Sequence, residues 1–321
     1  MEDTTIPLPI GLSTLIDGEF AAATLLISFG AVIGRVTPTQ LVVMALCQSF
    51  PYAFNKVIVV FGLLGAEDVG GSMTIHMFGA FFGLTVSYVL GPPKESTVSN
   101  ATPNAMSDVL ALIGTTLLWV YWPSFVGATE SASPLYEQNC FIHTIMALLG
   151  STLAAFYMSQ KLGHGKFDPV HIANSTLAGG VAVGSSARLM MTPGGALLLG
   201  MGAGVVSVYG YVYSTPYLEK KCIIFDTCGV GNLHGWPSVV GGLSSAIFVL
   251  FDGHAAFLSH GVALQFLCQI MGVVCTIIIA IASGYGTGLV MIKYGASSDN
   301  ETKPNEYDDS VWYVVIHENV L

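Results

Sequence analysis

The feature that most constrains this chain is a succession of long apolar stretches, most of roughly 18 to 25 residues, the length a helix needs to cross about 30 Å of hydrocarbon. They fall near 19–34, 39–61, 68–92, 107–127, 138–160, 167–190, 194–214, 228–252 and 261–293 of the 321 residues. Charged side chains make up 9% of the sequence and hydrophobic ones 53%, against about 25% charged in a soluble domain. Such a chain would aggregate in water. The expected fold class is therefore all-α, a polytopic transmembrane helix bundle of about nine spans.

An odd number of spans puts the chain ends on opposite sides, and the basic residues assign those sides. With the C-terminus in the cytoplasm, Arg35, Lys94, Lys161, Lys166, Lys220, Lys221, Lys293 and Lys303 lie inside and Lys56 and Arg188 lie outside or near the outer interface. The expected organisation is an extracellular N-terminal segment over 1–17, a transmembrane domain over 18–295 and an acidic cytoplasmic tail over 296–321. MEDTTIPLPI lacks the basic region and apolar stretch of a cleavable signal peptide. The formal charge of −10 and the lack of basic patches exclude a nucleic-acid partner. Six cysteines without CxxC spacing imply neither a metal site nor a disulfide framework, and no cofactor is expected. The lipid bilayer is the one partner that composition requires.

The chemistry sits in a spacing that occurs twice, Asp68-x7-His76 in DVGGSMTIHMFG and Asp226-x7-His234 in DTCGVGNLHGWP, each opening an apolar span. Eight helical residues cover about 12 Å, so an Asp at the boundary carries its His toward the bilayer midplane. The two helices run in opposite directions, which is the geometry of an inverted repeat. An ionisable side chain in hydrocarbon is costly unless it faces protein or water, so a matched pair at one depth marks a conduction path. The bland alternative for each His is a core hydrogen bond between helices, and for each Asp a helix cap. Zinc is the rival use of two histidines, but no third ligand has a suitable spacing.

Other polar and aromatic residues are expected to be structural. His143 and His171 lie in spans without a partner at repeat spacing, and His164, His254, His260 and His317 fall in loops, boundaries or the tail. Phe20 begins the first span, and Trp119, Tyr121 and Trp122 read as an aromatic belt near an outer boundary. The glycine-rich spans, such as PGGALLLGMGAGVVSVYG, allow close helix packing.

Taken together in order, DVGGSMTIHMFGAFFGL, NSTLAGGVAVG, DTCGVGNLHGWPSVVGG and YDDSVWYV resemble the Rh branch of the ammonium transporter superfamily, from about Gly11 to Trp312. The resemblance implies the inverted-repeat ammonium transporter fold and a plasma-membrane homotrimer, or an Rh hetero-oligomer, in which each subunit has its own hydrophobic pore. It implies His76 and His234 as pore histidines, Asp68 and Asp226 as the acidic positions at the pore-helix starts, and Phe20 as outer gate. A second gate phenylalanine is expected from the span near 138–160, where the local match falls on Ile145 or Met146 and Phe141 is the nearby aromatic. GLSTLIDGEF resembles the start of the family's third core helix, so the expectation is an N-terminally truncated member.

The function so implied is an ammonia/ammonium channel that strips a proton from NH4+ near the phenylalanine gate and passes NH3 along an apolar lumen, with CO2 as a second neutral gas. The rival is a non-conducting structural Rh-like subunit or a truncated fragment. Loss of the histidines would mark it, and both are present. No nucleophile and base, metal set or phosphate loop points to an enzyme.

Overall fold

The computed structural model describes residues 10–95, 98–130, 132–189, 191–252, 260–295 and 306–308. Helices dominate because in hydrocarbon every backbone N–H and C=O must be satisfied within its own segment. Among the described residues, eight helices are long and apolar enough to span: α1 (Leu12–Val32), α2 (Pro38–Leu63), α3 (Ser72–Leu90), α4 (Ala105–Gly127), α5 (Pro134–Leu162), α8 (Pro193–Cys222), α9 (Gly231–Phe251) and α10 (Val262–Lys293). Between α5 and α8 lie two short helices, α6 (Pro169–Ser175) and α7 (Ala178–Val183).

That short pair occupies the stretch expected as the sixth span, and it still crosses. Asp168 donates its backbone N–H to Ser159 Oγ, Thr176 C=O accepts from Ser151 Oγ, and His143 Nδ1 bonds to Ala187 C=O. The segment thus runs antiparallel to α5 from Ser159 to His143, a path of about 24 Å at helical rise. It breaks because glycine lowers helix propensity and because Gly179 and Gly184 are pressed against the backbones of Ala147 and Gly70. A continuous helix of bulkier residues could not come as close.

The starts of the spans are written locally. Thr37 and Gln40 form a reciprocal capping box with Pro38 at the first position of α2, and the Ser133, Asp168 and Thr192 side chains each accept one backbone N–H at the starts of α5, α6 and α8, ahead of Pro134, Pro169 and Pro193. Packing then relies on small residues, since lipid supplies no hydrophobic drive between helices. Gly150 of α5 faces the Leu197 carbonyl of α8, and Gly200 of α8 faces the Ala147 carbonyl of α5. Gly200→Leu is expected to cost about 1–3 kcal/mol by overpacking, read as a lowered thermal midpoint in detergent, whereas Gly202→Leu, with open space around it, changes little.

The two faces of the bundle differ in charge as the basic residues require. Asp17, Lys56, Glu67 and Arg188 share one mouth, and Arg35, Lys94 and Glu306 meet at the other, where the Arg35 guanidinium also donates to Ser87 Oγ and Gly91 C=O. His254, His317 and most of the 296–321 tail lie outside the described residues.

Candidate functional site

Both Asp-to-His segments fold into the same device. Asp68 is followed at the third position by Gly71 with φ +71°, and Asp226 by Gly229 with φ +72°. Each glycine donates its N–H to the aspartate carbonyl, at 3.0 and 3.3 Å. The positive φ is why glycine stands at both places. The carboxylates then turn onto the opening turn of the next helix: Asp68 accepts from Met73 and Thr74 N–H, and Asp226 from Val230 and Gly231 N–H, all within 2.7–3.0 Å. The Thr74 and Ser185 hydroxyls also donate to Asp68. Desolvation raises both carboxyl pKa values above the usual range, Asp226 to about 6, against the pull of those donors.

Capping is therefore a real task of both aspartates. Asp68→Ala would strand buried donors and is expected to cost about 2–3 kcal/mol, more than Asp226→Ala, whose surroundings are less buried. Thermal midpoints of the two variants, measured side by side, check that order.

Past the capped turn, each histidine sits in a π-helical segment, Ser72–Met77 for His76 and Gly231–Gly235 for His234. A π-turn holds an extra residue and re-aims the side chains on it, and such turns recur at functional sites. The two rings meet at Nδ1···Nδ1 3.1 Å, with centroids 5.1 Å apart and planes within 6°. One Nδ1 must donate and the other accept, so the neutral pair holds complementary tautomers. The opposite edges then offer one Nε2–H donor and one bare Nε2 acceptor.

Around the pair lies an apolar cavity of about 440 Å³, lined among others by Phe20, Ile27, Val69, Trp122, Phe125 and Leu233. Phe20, Val69 and Ile75 also line a second, polar cavity of about 490 Å³ that holds Asp17, Lys56, Glu67, Asp68 and Arg188. The polar and the apolar cavity thus meet at Phe20. In the wall of the polar cavity the Arg188 guanidinium donates from Nε and Nη2 to the two oxygens of Glu67 and from Nη1 to Glu130, the last at 3.2 Å. Gln269 fixes the same strand of backbone, accepting from Glu67 N–H and donating to Glu67 C=O.

Three readings of the sequence change here. Trp122 belongs to no boundary belt: it is 5% exposed and stacked on His76, with centroids 5.5 Å apart and planes 20° from parallel. Tyr121 on the next position is 57% exposed, as an interface residue would be. Phe20 stands eight residues into α1, about 12 Å from its start, deeper than an interface position. Phe29, Trp122 and Phe125 are the other aromatics of the apolar cavity, Phe125 coming from α4. Phe141 is turned onto Gly127, and Met146 packs on the core between α5, α7 and α8; neither lines the cavity. The helical register of WVYWPSF, which sets Trp122 and Phe125 three residues apart on one face, was the signal available for this. His143 and His171 are core residues, bonded to Ala187 C=O and to Ser159 Oγ. Among the described residues no cluster of three His, Cys, Asp or Glu side chains could hold a metal.

The model of the Ammonium Transporter Family matches residues 7–309. This chain belongs to the ammonium transporter family. Its similarity is to the Rh branch: it is 40% identical to ammonium transporter Rh type B-A of Xenopus laevis, over 95% of this chain and 69% of that protein, and 40% identical to the human Rh type B transporter over the same shares. Among solved structures, Rh50 of Nitrosomonas europaea superposes with a TM-score of 0.79 at 34% identity, covering 95% of this chain and 76% of that one. Mep2 of Saccharomyces cerevisiae, 19% identical with a TM-score of 0.74 over 88% of this chain and 65% of its own, shares the fold. As an Rh-branch member of the family the chain is a multi-pass membrane protein, and the breaks seen at α6 and α7 and at the two histidine turns occur within an ammonium transporter fold.

Proposed function

We propose that this chain conducts neutral ammonia across the membrane, and the observation that carries the reading is the His76–His234 pair in an apolar cavity beneath an acidic vestibule. The relatives are named as ammonium transporters, and Rh50 as a member of the Rhesus family of channels. Ammonium collects at the vestibule, where the carboxyl groups of Asp17, Glu67 and Asp68 outnumber the cations Lys56 and Arg188. The cation cannot follow into the lumen, because an unpaired charge in apolar surroundings costs far more than a small neutral amine. Its proton passes to solvent water on the vestibule side of Phe20, as NH4+ + H2O gives NH3 + H3O+. NH3 then accepts from the Nε2–H of one histidine and donates to the Nε2 of the other, which replaces part of the hydration it has lost. Phe20 and Phe125 narrow the approach, and Trp122 keeps the His76 ring in plane with its partner. CO2 is likewise small and neutral and meets the same lumen.

The orientation that fits is a cytoplasmic C-terminus at the plasma membrane, with the vestibule outside, supported by eight basic residues on one side against two on the other. The assembly is the homotrimer that the Rh resemblance implies, one lumen per subunit. A structural, non-conducting role would leave the paired histidines in an apolar cavity without use.

The test is the internal pH of proteoliposomes after an inward ammonium gradient is imposed. Alkalinisation faster than in empty vesicles is the expected result. Equal rates, with incorporation of the protein verified, overturn the reading.

A further inference from the structure

The two Asp-to-His turns share a backbone but are secured differently. Six residues past Asp68 stands Thr74, whose hydroxyl closes back onto that carboxylate, and Ser185 adds a second hydroxyl. Six residues past Asp226 stands Asn232, and among the described residues the Asp226 carboxylate accepts from backbone N–H groups alone. The Asn232 amide turns away from it and donates from Nδ2 to Thr215 Oγ1 of α8 at 2.7 Å. Asn232 is 1% exposed, and a buried amide of this kind is held in place by its partner. Gly210 of α8 makes the approach possible, since a methyl group there would stand 2.4 Å from Asn232 Oδ1.

One turn before Thr215 on the same helix, Tyr211 engages the start of the same segment. Its hydroxyl donates to the Cys228 and Gly229 carbonyls, at 3.3 and 3.2 Å. Its ring lies on Gly229, the residue with φ +72°, where a methyl group would stand 2.3 Å from both Cε1 and the hydroxyl oxygen. Gly229 C=O also accepts from Asn232 and Leu233 N–H, at 3.0 and 3.1 Å, so it is the acceptor on which the turn bearing His234 opens. Tyr211 lies in a π-helical segment of its own, Gly210–Ser214, whose extra residue re-aims the side chains on it. Side chains of α8 thus grip the turn at Gly229 and again at Asn232, ahead of His234.

We propose that Tyr211, Thr215 and Asn232 are positioning residues for His234: the grip of α8 on its turn sets where the His234 ring stands and so holds its Nδ1 3.1 Å from that of His76. None of the three lines the apolar cavity, so they act through the histidine and not on the passing solute. The outer histidine has its own hydroxyl donors at Asp68 and does not depend on α8 in this way. The proposal deepens the conduction reading, on which its rate readout rests; its spectroscopic readout is independent of that reading.

The test follows the ring-nitrogen NMR signals of the full chain carrying isotope-labelled histidine, assigned with His76→Ala and His234→Ala, beside ammonium-driven alkalinisation of proteoliposomes. Asn232→Leu and Thr215→Val keep side-chain shape and remove opposite ends of one hydrogen bond. Each is expected to shift the ring signals of the histidine pair and to slow alkalinisation about fivefold, and the two together should do little more than either. Thr215→Ser, which keeps the hydroxyl, should restore the signals of the unaltered chain. Tyr211→Phe, which keeps the ring and drops the O–H, repeats the test if those variants lack native helical content by circular dichroism. Ring signals unchanged in the folded variants overturn the proposal, whatever happens to the rate or the thermal midpoint, and leave the three residues as packing between α8 and α9. Shifted signals in a protein whose unaltered form alkalinises no faster than empty vesicles uphold the positioning role and sink the conduction reading alone.

Discussion

Replacing Arg188 by methionine is expected to cost about 3–5 kcal/mol of stability, the largest loss of any single substitution considered for this chain. Glu67 and Glu130 are 5% and 1% exposed at their side chains and converge on the one guanidinium. Removing it leaves two largely buried carboxylates without their shared counterion, which disfavours the charged form of both. The strand of backbone at Glu67 is also tied to α10 through Gln269, and Gln269 in turn donates to Ser245 of α9. Strain at the ion cluster therefore reaches two helices, α10 and α9. The check is the thermal midpoint in detergent, with Arg188→Met/Glu67→Gln/Glu130→Gln as companion. The triple variant should recover most of the loss, since it removes the stranded charges along with their partner. A midpoint for Arg188→Met equal to that of the unaltered chain would show that the cluster carries no such weight.

His76→Ala is expected to slow ammonium-driven alkalinisation of proteoliposomes about tenfold, the equivalent of about 1.4 kcal/mol in the barrier. The substitution removes the Nδ1 partner of His234, so the remaining ring is free to choose its tautomer, and it removes the ring on which Trp122 stacks. An ammonia molecule in the lumen then meets one hydrogen-bond partner where it met two, and the loss of one such bond in apolar surroundings falls in the same range of about 1–3 kcal/mol. His234→Ala should act alike, and the double variant should be little slower than either, because the pair works as a unit. Rates multiplying in the double variant would mean two independent histidines.

The class of the fold was legible because hydrocarbon imposes so simple a rule: apolar runs of spanning length between Lys, Arg and Gly-rich breaks admit few alternatives. The repeated device was legible too, since Asp68 and His76 recur as Asp226 and His234, and an inverted repeat has to write its device twice. The glycines at Gly71 and Gly229 complete that pattern, each three residues past its aspartate. What periodicity did not yield was depth and facing. Trp122 and Tyr121 are neighbours of similar character, and whether one turns to the lumen and the other to lipid depends on where α4 meets α3 and α7. Phe125 and Phe141 are both apolar aromatics near a span, and the choice between them as lumen residue rests on Gly127, whose bare Cα makes room for the Phe141 ring away from the cavity. The break between α6 and α7 was hidden for a related reason: LAGGVAVG reads as an apolar span whether or not it holds a continuous helix, and the close approach to Ala147 and Gly70 that breaks it comes from other parts of the chain. The partners of Arg188 lie 121 and 58 residues away in sequence, a distance no local pattern encodes.

The central claim is that what crosses the lumen is uncharged. The most direct measurement records internal pH and membrane current together in proteoliposomes of the unaltered chain during an inward ammonium gradient. The account predicts alkalinisation faster than in empty vesicles with no current above theirs. A current that rises in proportion to the ammonium gradient would contradict it and mean that charge passes the histidine pair.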